Sequence, residues 1–190
     1  MNDGRIEQTF ACLKAEKRTG LIAFVTVGYP EIDSTPGLVK ALVEGGADII
    51  ELGVPFSDPL AEGPTIQSSS FRALANGTTT ATCLDAVRKL RADGVTAPLI
   101  FMGYYNPILA YGLDKFARDA AEAGADGIIP VDLPPEESGP LHDAFTANGL
   151  RVIYLLAPTS TEARIAAVAT KASGFVYCVS LTGTTGARDE

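Results

Sequence analysis

Apolar residues fall along this chain in two alternating patterns. Six short runs, at 21–27, 48–54, 98–102, 127–132, 151–156 and 174–179, are nearly continuous in Ile, Val, Leu and Phe. Strands buried on both faces read this way, because neither face needs polar residues for water. Between them, stretches 36–44, 80–92, 113–123, 136–148 and 161–172 place apolar residues three to four apart, the spacing of a helix with one buried stripe. Ile6, Phe10 and Leu13, at i, i+4 and i+7, predict a further short helix ahead of the first strand. The alternation predicts repeated βα units around a parallel sheet, an α/β fold. No linker or low-complexity stretch interrupts it, so residues 1–190 are expected to form one domain.

The two ends of the strands differ in character. Gly46-Ala47-Asp48 and Gly124-Ala125-Asp126 each precede a strand and echo one another. The echo fits a repeat of βα units, and it equally fits good turn chemistry used twice. The other strand ends run into Gly28-Tyr29-Pro30, Pro55-Phe56-Ser57-Asp58-Pro59, Gly103-Tyr104-Tyr105-Asn106-Pro107, Asp132-Leu133-Pro134-Pro135 and Ala157-Pro158-Thr159. In barrels and open α/β sheets the functional site sits at the C-terminal strand ends, so elaborate loops there point to that face. A complete eight-unit barrel takes ~250 residues. Six strands with no helix after the last would leave apolar surface and a sheet edge uncovered, and a longer parent chain is expected.

Composition narrows the chemistry. With 46% hydrophobic and 20% charged residues the chain is globular in type. A formal net charge of -8 argues against a partner held by phosphate contacts, hence against nucleic acid. No apolar run reaches the ~20 residues of a membrane helix, and no apolar segment of secretory type follows Met1, so a cytoplasmic protein is expected. Cys12, Cys83 and Cys178 lie far apart, match no metal spacing, and read as small apolar packers. His142 stands without a second histidine, which leaves no zinc cluster and favours a structural role.

Glu51 is the most informative residue. It interrupts the run Ile49-Ile50-Glu51-Leu52-Gly53-Val54, where an unpaired charge is costly. By period-two alternation Ile49, Glu51 and Gly53 share one face and Ile50, Leu52 and Val54 the other. If the Leu/Val face packs on helices, Glu51 points into a barrel hollow. Burial there raises a carboxyl pKa and suits it to proton transfer. The alternative is a glutamate near a strand end that reaches solvent or an arginine.

The loop that follows is more particular than generic turn sequence. The segment Glu51-Leu52-Gly53-Val54-Pro55-Phe56-Ser57-Asp58-Pro59-Leu60-Ala61-Glu62-Gly63-Pro64-Thr65-Ile66-Gln67 resembles the signature of the tryptophan synthase alpha chain family. The likeness extends to Phe24-Val25-Thr26-Val27-Gly28-Tyr29-Pro30, Met102-Gly103-Tyr104-Tyr105-Asn106-Pro107, Val131-Asp132-Leu133-Pro134 with Glu136-Glu137-Ser138, and the stretch 177–187. It covers essentially the whole chain in the family's order. The implied fold is a (β/α)8 TIM barrel, of which this sequence resembles the first six βα units.

The resemblance implies a lyase of tryptophan biosynthesis. It would cleave indole-3-glycerol phosphate by a retro-aldol step and pass indole to a beta chain. That beta chain carries the pyridoxal phosphate, the alpha chain needs no cofactor or metal, and the two assemble as an alpha2-beta2 heterotetramer. By the same resemblance Glu51 is the general acid/base and Glu62 the second carboxylate, which steadies positive charge at the ring N–H. The family pattern has Asp where Glu62 stands; the longer side chain reaches one methylene further, and catalytic geometry is sensitive to ~1 Å. Phe24, Tyr104, Ile129, Leu155 and Tyr177 match the indole pocket, Thr185 a loop contact of the second carboxylate, and Gly186 a phosphate contact. Asp58 and Pro59 match a region facing the beta chain. The seventh and eighth units hold most of the family's phosphate cradle, so this chain as given is expected to bind substrate poorly and cleave it little or not at all, with the longer parent active. Two other functions fit parts of the pattern: a subunit that only docks on and activates a beta chain, and a different phosphosugar-handling barrel enzyme.

Overall fold

In the computed structural model residues 4–60 and 62–180 are described. The apolar runs form strands β1 (Ile22–Thr26), β2 (Ile49–Gly53), β3 (Leu99–Gly103), β4 (Gly127–Pro130), β5 (Arg151–Val152), β6 (Tyr154–Leu156) and β7 (Val176–Cys178). The helices are α1 (Arg5–Glu16), α2 (Thr35–Glu44), α3 (Pro64–Ala75), α4 (Thr80–Ala92), α5 (Tyr105–Tyr111), α6 (Leu113–Ala123), α7 (Gly139–Ala147) and α8 (Glu162–Lys171). Strands β1 to β5 pair in parallel in sequence order, and β6 pairs in parallel with β7. Among the described residues no ladder joins β1 to β7, which end the row.

Both sheet faces are buried, as their composition requires. Ile50, Leu52, Leu99, Phe101, Ile128 and Val152 face outward and pack with helix residues such as Val39, Val87, Leu90, Phe116, Leu141 and Phe145. Rings of Phe101, Phe116 and Phe145 follow one another at centroid distances of 5.4 and 6.0 Å. The alternate residues Ile49, Ile100, Ile129 and Ile153 face the concave side, where Ile6 of α1 plugs the hollow from the N-terminal end of the strands. Burying one such side chain contributes about 1.5–3 kcal/mol, and here one strand set supplies two cores at once.

Three departures from the sequence pattern have physical causes. The expected strand 151–156 is divided: Arg151 and Val152 pair with β4, Tyr154 to Leu156 pair with β7. Ile153 between them donates its N–H to Ile128 O at 2.9 Å. Staggered strands in a coiling sheet overlap each neighbour over only part of their length. Helix α3 lacks an apolar stripe, burying only Ser70 and Ala73, so periodicity does not reveal it; Pro64 in its first turn, preset for helical φ, is the signal that marks it. Helix α5 is seven residues long and starts inside a Tyr-Asn-Pro stretch that reads as loop. The cysteines also differ from expectation. Cys83 is buried, but Cys12 and Cys178 are exposed, Cys12 on the outer face of α1 and Cys178 on the last strand of the row.

The Gly-Ala-Asp echo marks one device used twice. Asp48 accepts the N–H of Leu21 at 2.8 Å and both Nη groups of Arg18, at 2.6 and 2.9 Å. Asp126 accepts the N–H of Leu99 at 2.8 Å and Arg91 Nη2 at 2.6 Å, and Arg5 Nη1 at 3.0 Å. Each aspartate reaches sideways to a backbone N–H at the start of the adjacent strand and is held by an arginine. The Arg18 guanidinium keeps the Asp48 carboxyl below the usual carboxylate range.

Candidate active site

Strand register places Glu51 on the concave face. Its Cα partners are Phe24 on β1 and Ile100 on β3, and it alternates with the buried Ile49 of the interior cluster. Glu51 is 5% exposed, and its Oε1 has no hydrogen-bond partner among the described residues. Burial with nothing to stabilise the anion pushes its pKa up to about 7. A group titrating there can give and take a proton near neutrality. The outward, solvent-reaching alternative for this side chain is excluded by its place in the sheet.

The walls come from several neighbouring strands. Ile129, Leu155 and Tyr177 lie together in the interior cluster with Met102 and Ile153. Leu155 and Tyr177 are register partners across β6 and β7. Burial raises the Tyr177 phenol's pKa, and the Glu51 carboxylate raises it further. Phe24, Tyr104, Glu62 and Pro59 line one cavity at the C-terminal strand ends, together with Thr26, Phe56 and Met102. Met102 therefore links that cavity to the interior cluster. Gly53 lies two residues past Glu51 on the same face, and a Cβ there would come within 2.5 Å of the Phe24 ring. Glycine leaves the space that Phe24 occupies.

Glu62 stands in the loop between β2 and α3. Its Oε2 accepts the hydroxyl of Tyr104 in a short hydrogen bond, and its carbonyl accepts Gln67 Nε2 at 2.8 Å. Its carboxyl is raised above the ordinary value, by burial first; the Tyr104 hydrogen bond opposes this and the nearby Asp132 carboxylate adds to it. Tyr104 is 4% exposed and packs on Phe56 at a ring distance of 5.2 Å. Asp58 is exposed and accepts Ser57 Oγ at 2.6 Å; Pro59 is half-buried. Leu60, the next residue, is 88% exposed. Thr185 and Gly186 lie outside the described residues.

Phe56, Met102 and Asp132 join the site without a role assigned from sequence. Asp132 sits at the end of β4 and accepts the N–H of Tyr105 at 2.8 Å. An acidic residue followed by Leu-Pro-Pro just beyond a strand was the available signal. His142 belongs elsewhere: its Nδ1 lies 3.3 Å from Tyr154 Oη, in a buried group with Ser138. Among the described residues no group of three His, Cys, Asp or Glu side chains is placed to hold a metal ion, and no helix is long and apolar enough to cross a membrane.

Comparison with known proteins gives a consistent result. The family model described as tryptophan synthase alpha chain matches residues 10–190. Alpha chains from Roseiflexus sp. (strain RS-1) and Geobacter sulfurreducens are each 56% identical, over 186 and 184 residues, or 98% and 97% of this chain. Those alignments span 71% and 69% of the two relatives' own lengths. Among solved structures, the alpha subunit from Legionella pneumophila superposes with a TM-score of 0.91 at 45% identity, covering 94% of this chain and 68% of that one. A structure of Mycobacterium tuberculosis tryptophan synthase gives 0.92 at 41% identity, covering 99% and 72%.

Proposed function

The chain belongs to the tryptophan synthase alpha chain family, and from that premise we propose how its residues carry the family's lyase reaction in tryptophan biosynthesis. Indole-3-glycerol phosphate is split into indole and glyceraldehyde 3-phosphate. The bond to be broken joins C3 of the indole ring to the carbinol carbon of the side chain. The aromatic ring cannot accept that electron pair until C3 is protonated, which places positive charge on the ring nitrogen. Glu51, protonated near neutrality, delivers the C3 proton. As its carboxylate it then takes the proton of the carbinol hydroxyl. The hydroxyl oxygen becomes the aldehyde carbonyl, the C3–carbon pair returns to the ring, and the positive charge on nitrogen is discharged. Only protons and one carbon–carbon bond pair move, and the step calls on no cofactor bound by this chain.

Glu62 serves as the carboxylate that accepts the ring N–H and steadies its developing charge, an electrostatic contribution made where the charge appears. Tyr104 holds it by the phenol hydrogen bond. Phe24, Ile129, Leu155 and Tyr177 form the apolar walls against which a flat ring can lie. Thr185 and Gly186 are proposed contacts of the second carboxylate and the phosphate. Pyridoxal phosphate belongs to the beta chain. The family partners with that chain, and we propose an alpha2-beta2 heterotetramer in the cytoplasm with the Asp58-Pro59 segment at the interface.

The observation that carries this reading is a buried, unpartnered carboxyl on the concave face, which a docking subunit has no use for. Indole release from indole-3-glycerol phosphate, measured with and without a beta chain, tests it against Glu51→Gln. The variant is expected to lose about a hundredfold or more, since general acid/base groups contribute about 10²–10⁴. A variant that releases indole at the parent rate would remove Glu51 from the chemistry.

A further inference from the structure

Three successive strand ends are tied together above the hollow. The loop after β2 offers Glu62; the elbow between β3 and α5 offers Tyr104, whose hydroxyl donates to Glu62 Oε2. The end of β4 offers Asp132, whose Oδ1 accepts the N–H of Tyr105 at 2.8 Å. Tyr104 is the residue before α5 and has no side-chain cap of its own, so the carboxylate from the neighbouring strand supplies the acceptor at that turn.

We propose that Asp132 is a positioning residue of the reaction: by fixing the Tyr104–Tyr105 elbow it sets where the Tyr104 hydroxyl holds the Glu62 carboxyl. This rests on the role given above to Glu62. Asp132 acts through its neighbours, by the hydrogen bond its Oδ1 accepts from the Tyr105 N–H. It also acts through its charge. Near Glu62, it disfavours a second negative charge and adds to the burial that raises the Glu62 carboxyl. The groups around Asp132 are few. Arg164, from α8, lines the same groove on the far side and is engaged by Glu136 at 3.3 Å; Lys171 donates to Pro135 O at 2.6 Å within the following turn. Asp132 is solvent-exposed, so its charge is screened and the backbone bond is the larger part of its action.

Two substitutions separate the parts. Asp132→Asn keeps an oxygen acceptor for Tyr105 N–H and removes the charge; Asp132→Ala removes both. The Glu62 carboxyl is followed by 13C NMR of the full 190-residue chain labelled at glutamate, and indole release is measured with the beta chain present. The Asn variant is expected to move the Glu62 titration down by several tenths of a pH unit and to retain kcat within about threefold. The Ala variant, with the elbow released and the Tyr104 bond weakened, is expected to titrate above the Asn variant and to lose about tenfold or more in kcat, with KM changed less. Coincident Glu62 titrations for Asn and Ala would overturn the positioning role, and an Asn titration equal to the parent would overturn the charge. Undiminished indole release by Glu62→Gln would instead remove Glu62 from the reaction while leaving the Asp132 titrations as they are.

Discussion

Tyr104 donates its phenol hydrogen to Oε2 of Glu62, joining the end of β3 to the loop after β2. On the role proposed for Glu62, that contact accounts for a glutamate standing where the family pattern has an aspartate. The loop holds the backbone of residue 62 back, through Gln67 on its carbonyl, and the longer side chain spans the distance to the phenol. Glu62→Asp is therefore expected to lower kcat by about tenfold, because retracting the carboxyl by one methylene breaks its contact with Tyr104. Steady-state indole release decides this; a variant faster than the parent would show that the loop is not adapted to glutamate.

Glu51 makes stability depend on pH in a definite direction. Its pKa in the folded chain is about 7, above the ordinary value of 4.5. Between those values the folded state binds more protons than the unfolded one, so stability falls as pH rises from about 4.5 to 7 and the penalty is complete above that. At about 1.4 kcal/mol per pH unit, the full penalty is roughly 3 kcal/mol. Glu51→Gln, neutral throughout, is expected to gain that amount relative to the parent on going from pH 4.5 to pH 8, whatever constant offset its amide introduces. Urea unfolding at the two pH values measures it, and a pH-independent difference would contradict the buried, unpaired carboxyl.

The same residue shows how far sequence carried the site. Period-two alternation set Glu51 on one face with Ile49 and Gly53, and the packing of Ile50 and Leu52 on helices makes that face the concave one. The parallel sheet and helices α4 and α6 followed from equally plain periodicity. Helix α3 did not, since its buried face is serine and alanine. The divided strand at Ile153 did not either, because a change of ladder partner leaves the apolar pattern unaltered. The Tyr104–Glu62 and Asp132–Tyr105 bonds join residues 42 and 27 positions apart. Only the parallel register brings them together.

Gly53 is a spatial requirement. A Cβ there would lie 2.5 Å from the Phe24 ring, on the face that carries Glu51. Gly53→Ala is expected to push that ring out of its place and into the space proposed for the indole. The effect should be a KM raised by about tenfold or more with a smaller change in kcat, since the displaced ring competes with ground-state binding. An unchanged KM would mean that Phe24 has another place to go.

Asp126 provides the contrast between a buried and a surface ion pair. Its side chain is 7% exposed and that of Arg91 13%, and the pair also holds the N–H that starts β3. Removing Asp126 leaves the Arg91 charge without its counterion and the Leu99 N–H without its acceptor, and breaking a buried pair in this way costs about 3–5 kcal/mol. Arg88 and Asp85 form an equally close pair on the outside of α4, with side chains 46% and 70% exposed, where such a contact is worth about 0.2–1 kcal/mol. Asp126→Ala is therefore expected to lower the unfolding free energy several times more than Asp85→Ala. Raising the salt concentration should shrink the Asp85 effect and leave most of the Asp126 effect in place. Equal losses for the two variants would mean that the aspartate at the start of β4 is ordinary turn chemistry, with no part in holding adjacent strands together.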